Sequence, residues 1–365
     1  IKIGYYSADF REHPVGYQIL ELIKLHNKKK FEVFAFSFLN SENDKIQNQF
    51  KKKFDKFIDV ENLSDDEIIN LSKKYKINIA IDLMGYTKLN RFPIFEKRCA
   101  PIQINFLGYP ATTGSKNMDY IIADKIVIPE SEKKNFSEKI IYMPNSFMIT
   151  SDYRKFSDKN FKKEDFGIPE SSFVFSNFSR FYKITPKIFK IWMEVLNKTK
   201  NSVLWLSMDN NEGISNIKKE AKKMNIDENR LFFAKKIQNF EEHLLRIKLS
   251  NLFIDTFPYG SHTTTYDILW AEVPIVTLSG KTFASRVCES ILKKFELDEL
   301  ITYCFDEYKN KILYLVNNPN KLEDLKEKIK EKKRNSDFFD SKEYANNLDE
   351  FFVKLNDNVK LNEKN

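Results

Sequence analysis

The chain has 365 residues, 42% hydrophobic and 14% aromatic, which suits two globular domains with cores of their own and excludes a disordered tail. Its formal charge of +8 comes from 60 Lys and Arg against 52 Asp and Glu, and the lysines lie dispersed among acids, so the charge reads as a solvated surface and argues against nucleic acid as a partner. Cys99, Cys288 and Cys304 are far apart, which gives neither a disulfide framework nor a zinc knuckle and fits a reducing, cytoplasmic setting; no apolar run approaches the ~20 residues that span a bilayer.

The first residue is a strand-like Ile1, so the chain reads as cut from a longer protein. Short apolar runs then alternate with helical stretches: a strand over 1–7, a helix after Pro14, a strand over 31–38, a polar helix over 64–75, and strands over 77–84, 102–107 and 120–123. That alternation predicts a parallel sheet wrapped by helices. The cycle weakens in the polar stretch 150–163. It restarts with a strand over 172–178, a helix over 186–198, strands over 202–207 and 231–234, a helix over 240–250, and strands over 252–255 and 274–278. The expectation is therefore α/β, with two Rossmann-like doubly wound domains, 1–155 and 156–318, facing across a cleft. Charged helices within 319–365 are expected to pack on the domains or bridge them. Open α/β sheets place ligands at the carboxyl ends of their strands, so function is sought there.

Several segments at such strand ends carry candidate chemistry. Asp9-Phe10-Arg11-Glu12-His13-Pro14 leads from the first strand into a helix with Pro in its first turn, and the positive helix end favours a neutral His13, either a proton acceptor or a structural cap. Gly85-Tyr86-Thr87 and Leu107-Gly108-Tyr109-Pro110 follow later strands; Gly permits close backbone approach to a ligand, though either loop also reads as ordinary. In the second half, Arg180-Phe181-Tyr182-Lys183 places two cations beyond a strand end, suited to a diphosphate or simply to solvent. His243 and Arg246 share one helix face at i, i+3, where they either hold a planar base or face water. Finally, Tyr259-Gly260-Ser261-His262-Thr263-Thr264 joins a strand to a helix, a geometry that suits phosphate oxygens or an ordinary N-cap by Ser261 or Thr263. With four histidines and no Asp-x-Asp, no metal cluster is evident, and neither a Gly-x-Gly-x-x-Gly nor a P-loop motif occurs.

Taken together and in order, these segments resemble the catalytic region of the protein O-GlcNAc transferase family, a glycosyltransferase family 41-like pattern. The resemblance runs over about residues 1–300 through Asp9-Phe10 with His13-Pro14, Gly85-Tyr86-Thr87-Lys88, Ala100-Pro101-Ile102-Gln103, Leu107-Gly108-Tyr109-Pro110, Met118-Asp119-Tyr120, Tyr182-Lys183-Ile184, Asn201-Ser202-Val203-Leu204-Trp205-Leu206, Glu241-Glu242-His243, His262-Thr263-Thr264 and Ala284-Ser285-Arg286-Val287. It implies a GT-B fold and an inverting, metal-independent transfer of N-acetylglucosamine from UDP-N-acetylglucosamine to Ser or Thr of protein or peptide acceptors, with no cofactor beyond the donor. It further implies Lys183, His262, Thr263 and Thr264 at the diphosphate, with Arg180 beside them, His243 and Arg246 at the uracil, and Asp267 at the ribose. Thr87, Leu107, Gly108, Pro110 and Tyr182 would surround the sugar, and His13, Lys183 and Tyr182 are the catalytic candidates. Three positions depart from the animal enzymes: Arg180 stands for Gln, Asn78 for a His near the acceptor side, and Tyr259 for a small Cys by the sugar. The bulk of Tyr259 keeps UDP-glucose open as donor, and transfer to Asn or a non-catalytic UDP-sugar-binding scaffold are the alternatives. The family's tetratricopeptide region is expected upstream, and the insert between the lobes of animal members is missing.

Overall fold

The computed structural model describes residues 1–41, 43–149, 154–335 and 341–362, so part of the expected linker, 150–153, lies outside the described residues. The chain divides into one unit of Ile1–Ser151 with Phe339–Asn365 and another of Asp152–Phe338.

In the first unit the chain runs β1 (Lys2–Ser7), α1 (Pro14–Leu25), β2 (Glu32–Ser37), α2 (Lys45–Lys53), β3 (Lys56–Asp59), α3 (Asp65–Tyr75), β4 (Ile79–Asp82), α4 (Pro93–Glu96), β5 (Ile102–Asn105), β6 (Tyr120–Ala123) and β7 (Lys139–Tyr142). The sheet order is β3-β2-β1-β4-β5-β6-β7 with every neighbouring pair parallel. Parallel strands covered on both faces lose the apolar-polar alternation, and β1 is accordingly buried from Ile3 to Ser7. Tyr6 stacks on Phe36 with centroids 4.4 Å apart and meets Phe95 edge-on at 5.4 Å, while its hydroxyl donates to Ser72 Oγ at 2.7 Å. Each such aromatic pair adds about 0.5–1.5 kcal/mol beyond its buried area. Ser64 caps α3 in a capping box with Glu67, which fixes where the polar helix starts.

The second unit continues with β8 (Phe173–Asn177), α5 (Pro186–Lys198), β9 (Ser202–Ser207), α6 (Asn211–Lys223), β10 (Leu231–Ala234), α7 (Phe240–Ile247), β11 (Leu252–Ile254), α8 (Thr263–Trp270), β12 (Ile275–Leu278), α9 (Phe283–Lys294), β13 (Ile301–Thr302), α10 (Phe305–Asn317) and α11 (Pro319–Asn335). Its six parallel strands are ordered β10-β9-β8-β11-β12-β13. Trp192 of α5 donates its indole N–H to the Tyr308 hydroxyl at 3.1 Å, and that hydroxyl donates to the Asp255 carbonyl at 2.7 Å, pinning the end of β11 through the core.

The charged C-terminal helices are shared out: α11 stays with the second unit, and α12 (Ser341–Asn362) belongs to the first. On α12, Asp349 meets buried His26 Nδ1 at 2.5 Å and accepts the Asn27 amide at 2.9 Å, and His26 Nε2 in turn contacts the Tyr5 hydroxyl at 2.7 Å. Both sheets reverse strand order once, between β1 and β4 and between β8 and β11. These are the switch points at which open α/β sheets bind ligands.

Candidate functional site

The loops that leave β8 and β11 flank the switch point of the second sheet, and side chains stitch them together. Asn177 Nδ2 donates to the Ile254 carbonyl at 2.8 Å, Ser179 and Ser261 hydroxyls meet at 3.1 Å, and Thr185 Oγ1 donates to the Phe257 carbonyl at 3.1 Å. The buried Asp255 carboxylate organises the second loop by accepting the Thr256 and Ser261 amides, the Ser261 hydroxyl and the Thr277 hydroxyl at 2.7–2.8 Å. Burial pushes this carboxyl upward despite those four donors. A Cβ at Gly260 would lie 3.0 Å from Asp255 Oδ2, so the close wrap suits glycine. Asp255 is a site residue that the sequence reading passes over, and Ser261, read there as a phosphate-turn residue or a cap, instead faces that carboxylate; the carboxylate directly at a strand end was the available signal.

The N-cap of α8 is His262, not Ser261 or Thr263, and no side chain caps it. Among the described residues nothing accepts from the Thr263 and Thr264 amides, which leaves them at the positive helix end. Beside them, Lys183 Nζ donates to the Gly260 carbonyl at 3.0 Å and lies 4.1 Å from the centre of the Tyr259 ring, which stacks on His262 at 4.7 Å. Lys183 forms no ion pair among the described residues. Burial, reinforced by Arg180, lowers its ammonium to about 8, with Asp255 opposing. Burial and then Lys183 push His262 down to about 3, so its ring is neutral, with Nε2 3.0 Å from the Ala284 carbonyl. A carbonyl only accepts, so Nε2 carries the hydrogen. Arg180 and Tyr182 are exposed at the mouth of this group, Tyr182 at 68%.

His243 and Arg246 do share a face of α7, but in unequal positions. Arg246 is buried, sandwiched near Phe178 and Trp205, with Nη1 on the Lys235 carbonyl and Nη2 on His243 Nδ1, each at 2.7 Å. A guanidinium only donates, so Nδ1 accepts and Nε2–H is the free pole of His243. Burial, and then Arg246, lower His243 to about 3. Asp267, on the second turn of α8, is already engaged by buried Arg154 Nε at 2.7 Å, a partner the sequence reading does not anticipate.

In the first unit, His13, Thr87 and the Leu107–Pro110 turn follow β1, β4 and β5, three adjacent strands at the other switch point. His13 N-caps α1 by accepting the Val15 amide at Nδ1, 3.3 Å away, and the same nitrogen lies 3.3 Å from Asp9 Oδ2. The two contacts need opposite protonation of Nδ1, so Asp9 and Val15 compete over the ring's tautomer. A Cβ on Gly16 would meet the Arg11 and Asp9 carbonyls at 2.3 and 2.7 Å, which is how the chain packs against the helix here. Leu107 has φ +69, and a Cβ on Gly108 would lie 1.9 Å from the Leu83 carbonyl, locking the β4 and β5 turns together. Thr87 Oγ1 donates to the Met84 carbonyl at 2.8 Å. Asn78 is not with this group: it precedes β4, at the amino end of the strand, where its Oδ1 accepts the Lys2 amide. Among the described residues no three His, Cys, Asp or Glu are grouped to hold a metal ion, and no helix is long and apolar enough to cross a membrane.

The chain is 31% identical over 97% of its length to a protein named probable UDP-N-acetylglucosamine–peptide N-acetylglucosaminyltransferase SEC of Arabidopsis thaliana, and 24% identical, also over 97%, to a UDP-N-acetylglucosamine–peptide N-acetylglucosaminyltransferase of Caenorhabditis elegans. It spans 37% and 40% of those relatives' lengths. Among solved structures, an O-GlcNAc transferase mutant of Thermobaculum terrenum matches with a TM-score of 0.89 at 24% identity, over 98% of this chain and 67% of that one. Sucrose-phosphate synthase of Thermosynechococcus elongatus matches at 0.65 and 11% identity, over 97% and 98%. These likenesses establish the fold, two Rossmann-like units of the GT-B type. The profile described as glycosyl transferase family 41 matches residues 1–164 and 158–348, nearly the whole chain, and the chain belongs to that family.

Proposed function

We propose that this chain is the catalytic part of an inverting, metal-independent protein glycosyltransferase that moves N-acetylglucosamine from UDP-N-acetylglucosamine to Ser or Thr hydroxyls of protein acceptors. One observation carries the reading: Lys183, an ammonium without an ion pair among the described residues, sits beside the uncapped Thr263–Thr264 end of α8 at a sheet switch point. A desolvated cation and two free amides form a receptor for a dianionic leaving group.

In this reading the acceptor oxygen bonds to the anomeric carbon as the bond from that carbon to the diphosphate oxygen breaks, with inversion. The electron pair moves onto the diphosphate, where Lys183, Thr263 and Thr264 stabilise it and Arg180 at the mouth adds charge. His243 presents Nε2–H to a uracil carbonyl and Arg246 fixes that ring from beneath, a positioning role. Asp267 meets the ribose with Oδ2, the oxygen that Arg154 Nε does not hold. The family resemblance assigns Thr87, Leu107, Gly108 and Pro110, and separately Tyr182, to the sugar, and His13 takes the hydroxyl proton when Asp9 holds Nδ1–H and Nε2 carries the lone pair. An upstream tetratricopeptide region would select protein acceptors, in a cytoplasmic setting.

The test is incubation of the purified protein with candidate acceptors and a panel of UDP-sugars, read by mass spectrometry. Transfer of N-acetylhexosamine to Ser or Thr is expected, unchanged by a chelator. Tyr259 stacked on His262 adds bulk beside Lys183, which favours UDP-glucose as the second donor to try. Tight UDP binding with no sugar transferred from any donor would instead make this a binding scaffold.

A further inference from the structure

At the amino-terminal edge of the first sheet, away from the loops above, lies a hollow of about 550 Å³. Two segments wall it: the end of α3 with the approach to β4, and the bend from α4 into β5. They bring Lys73, Lys76, Lys97 and Arg98 around a floor where exposed Pro101 lies beside the nearly buried Ile77 and Ala100, and no carboxylate lines it. Lys97 and Arg98 are balanced from outside by Asp66 at 2.7 Å and Asp119 at 2.8 Å. Lys73 and Lys76 make no ion pair among the described residues, so two positive charges remain uncompensated at the rim.

A lysine in the last turn of a helix is ordinarily explained by the helix dipole. That accounts for Lys73 and for Lys76, the left-handed C-cap of α3 at φ 56. It does not account for the two cations, Lys97 and Arg98, that a second segment brings to the same hollow. The Cys99 thiol in the wall is buried and donates to Gln103 Oε1 at 3.4 Å, and burial pushes it up to about 12, so it adds neither charge nor a reactive thiolate.

We propose that this hollow is a second ligand site, for a small amphipathic phosphate monoester whose dianion is held by Lys73 and Lys76 and whose apolar body lies on Pro101 and the edge of the core at Ile77 and Ala100. A dianion matches the two uncompensated charges, an apolar body matches the floor, and the volume falls within the range of small-molecule sites. The site does not rest on the glycosyltransferase reading, because none of its residues belongs to either switch-point group.

Octyl phosphate, titrated calorimetrically into the full chain, serves as the probe, with inorganic phosphate and octanoate alongside. Saturable one-to-one binding is expected, unaltered by saturating UDP. Inorganic phosphate and octanoate should each bind at least about fivefold more weakly, since each lacks one of the two matched features. The Lys73→Gln/Lys76→Asn double variant should weaken octyl phosphate at least about tenfold, through loss of two charge-assisted contacts; Asn tolerates the left-handed backbone at 76. Lys51→Gln/Lys52→Gln, which removes the same charge from α2, should leave affinity within about twofold, because exposed distant charges are screened. Absence of saturable binding, equal affinity in the first double variant, equal loss in the second, displacement by UDP, or inorganic phosphate or octanoate binding as tightly as octyl phosphate would each overturn the proposal.

Discussion

Lys183 stands between two opposed demands. Burial disfavours its charge, and the nearby Arg180 disfavours it further, yet a diphosphate needs that charge in place. The sign of the pH dependence follows. A bound dianion favours the protonated amine, so its pKa in the complex exceeds the value of about 8 in the free protein. Affinity for UDP is therefore full below pH 8 and declines above it, by up to about tenfold per pH unit until the pKa of the complex is reached. Calorimetric titration from pH 6 to 10 would check this; affinity flat through that range would remove Lys183 from the diphosphate. Lys183→Ala should lower kcat by about 10²–10³, the loss seen when one preorganised donor to a developing anion is removed. It should leave the urea midpoint unchanged or slightly raised, since a depressed ammonium contributes no folding stability near neutral pH. In the proposed reaction Asp9 is a positioning residue for His13: Asp9→Ala leaves Nδ1 of His13 to the Val15 amide, which favours the proton on Nε2. A fall in kcat with UDP affinity unchanged is expected, and unaltered kcat would show that the tautomer does not matter.

At the scale of elements, the turn proposed to bind the diphosphate takes its shape from Asp255, which holds the chain between β11 and α8. Asp255→Ala would strand the Ser261 amide and the Thr277 hydroxyl in the interior, at about 1–3 kcal/mol for each unsatisfied donor. We expect a clear drop in the urea midpoint together with loss of UDP binding, whereas Asp255→Asn, which keeps an acceptor toward Ser261, should lose less of both. Retention of UDP affinity by the alanine variant would mean the turn holds its shape without the carboxylate. The sequence makes the turn itself legible, through a strand, a glycine and a run of hydroxyls before a helix. It does not reveal which hydroxyls face a ligand: Ser261, a natural cap by composition, is turned inward by Asp255, and that depends on β12, 22 residues further on, for the Thr277 contact. His243 and Arg246 tell the same story. Their shared face follows from helical spacing, but the burial of Arg246 beneath Phe178 and Trp205 is decided by neighbouring strands.

For the molecule as a whole, the repeating alternation of apolar and helical runs suffices for two parallel sheets, because strands buried on both faces must be apolar. The edge strands β3 and β7 escape it: Lys56–Asp59 is exposed at both ends, and Lys139–Tyr142 is buried only at Ile141. The place of α12 is equally hidden, since the Asp349 contact with His26 spans 323 residues and no local pattern encodes it. The division into two cores leads to a last expectation. The residues assigned to the nucleotide all belong to the second unit, so UDP should stabilise that unit by mass action, about 2.7 kcal/mol at one hundred times its dissociation constant. Hydrogen exchange measured with and without UDP should slow at the Thr263 and Thr264 amides and through β8 and β11, by up to about a hundredfold where exchange requires opening of that unit. The sheet from β3 to β7 should exchange as before, because nothing assigned to the nucleotide draws on its core. Protection arising in the first sheet instead, or none at α8, would place the nucleotide somewhere other than the turn that Asp255 shapes.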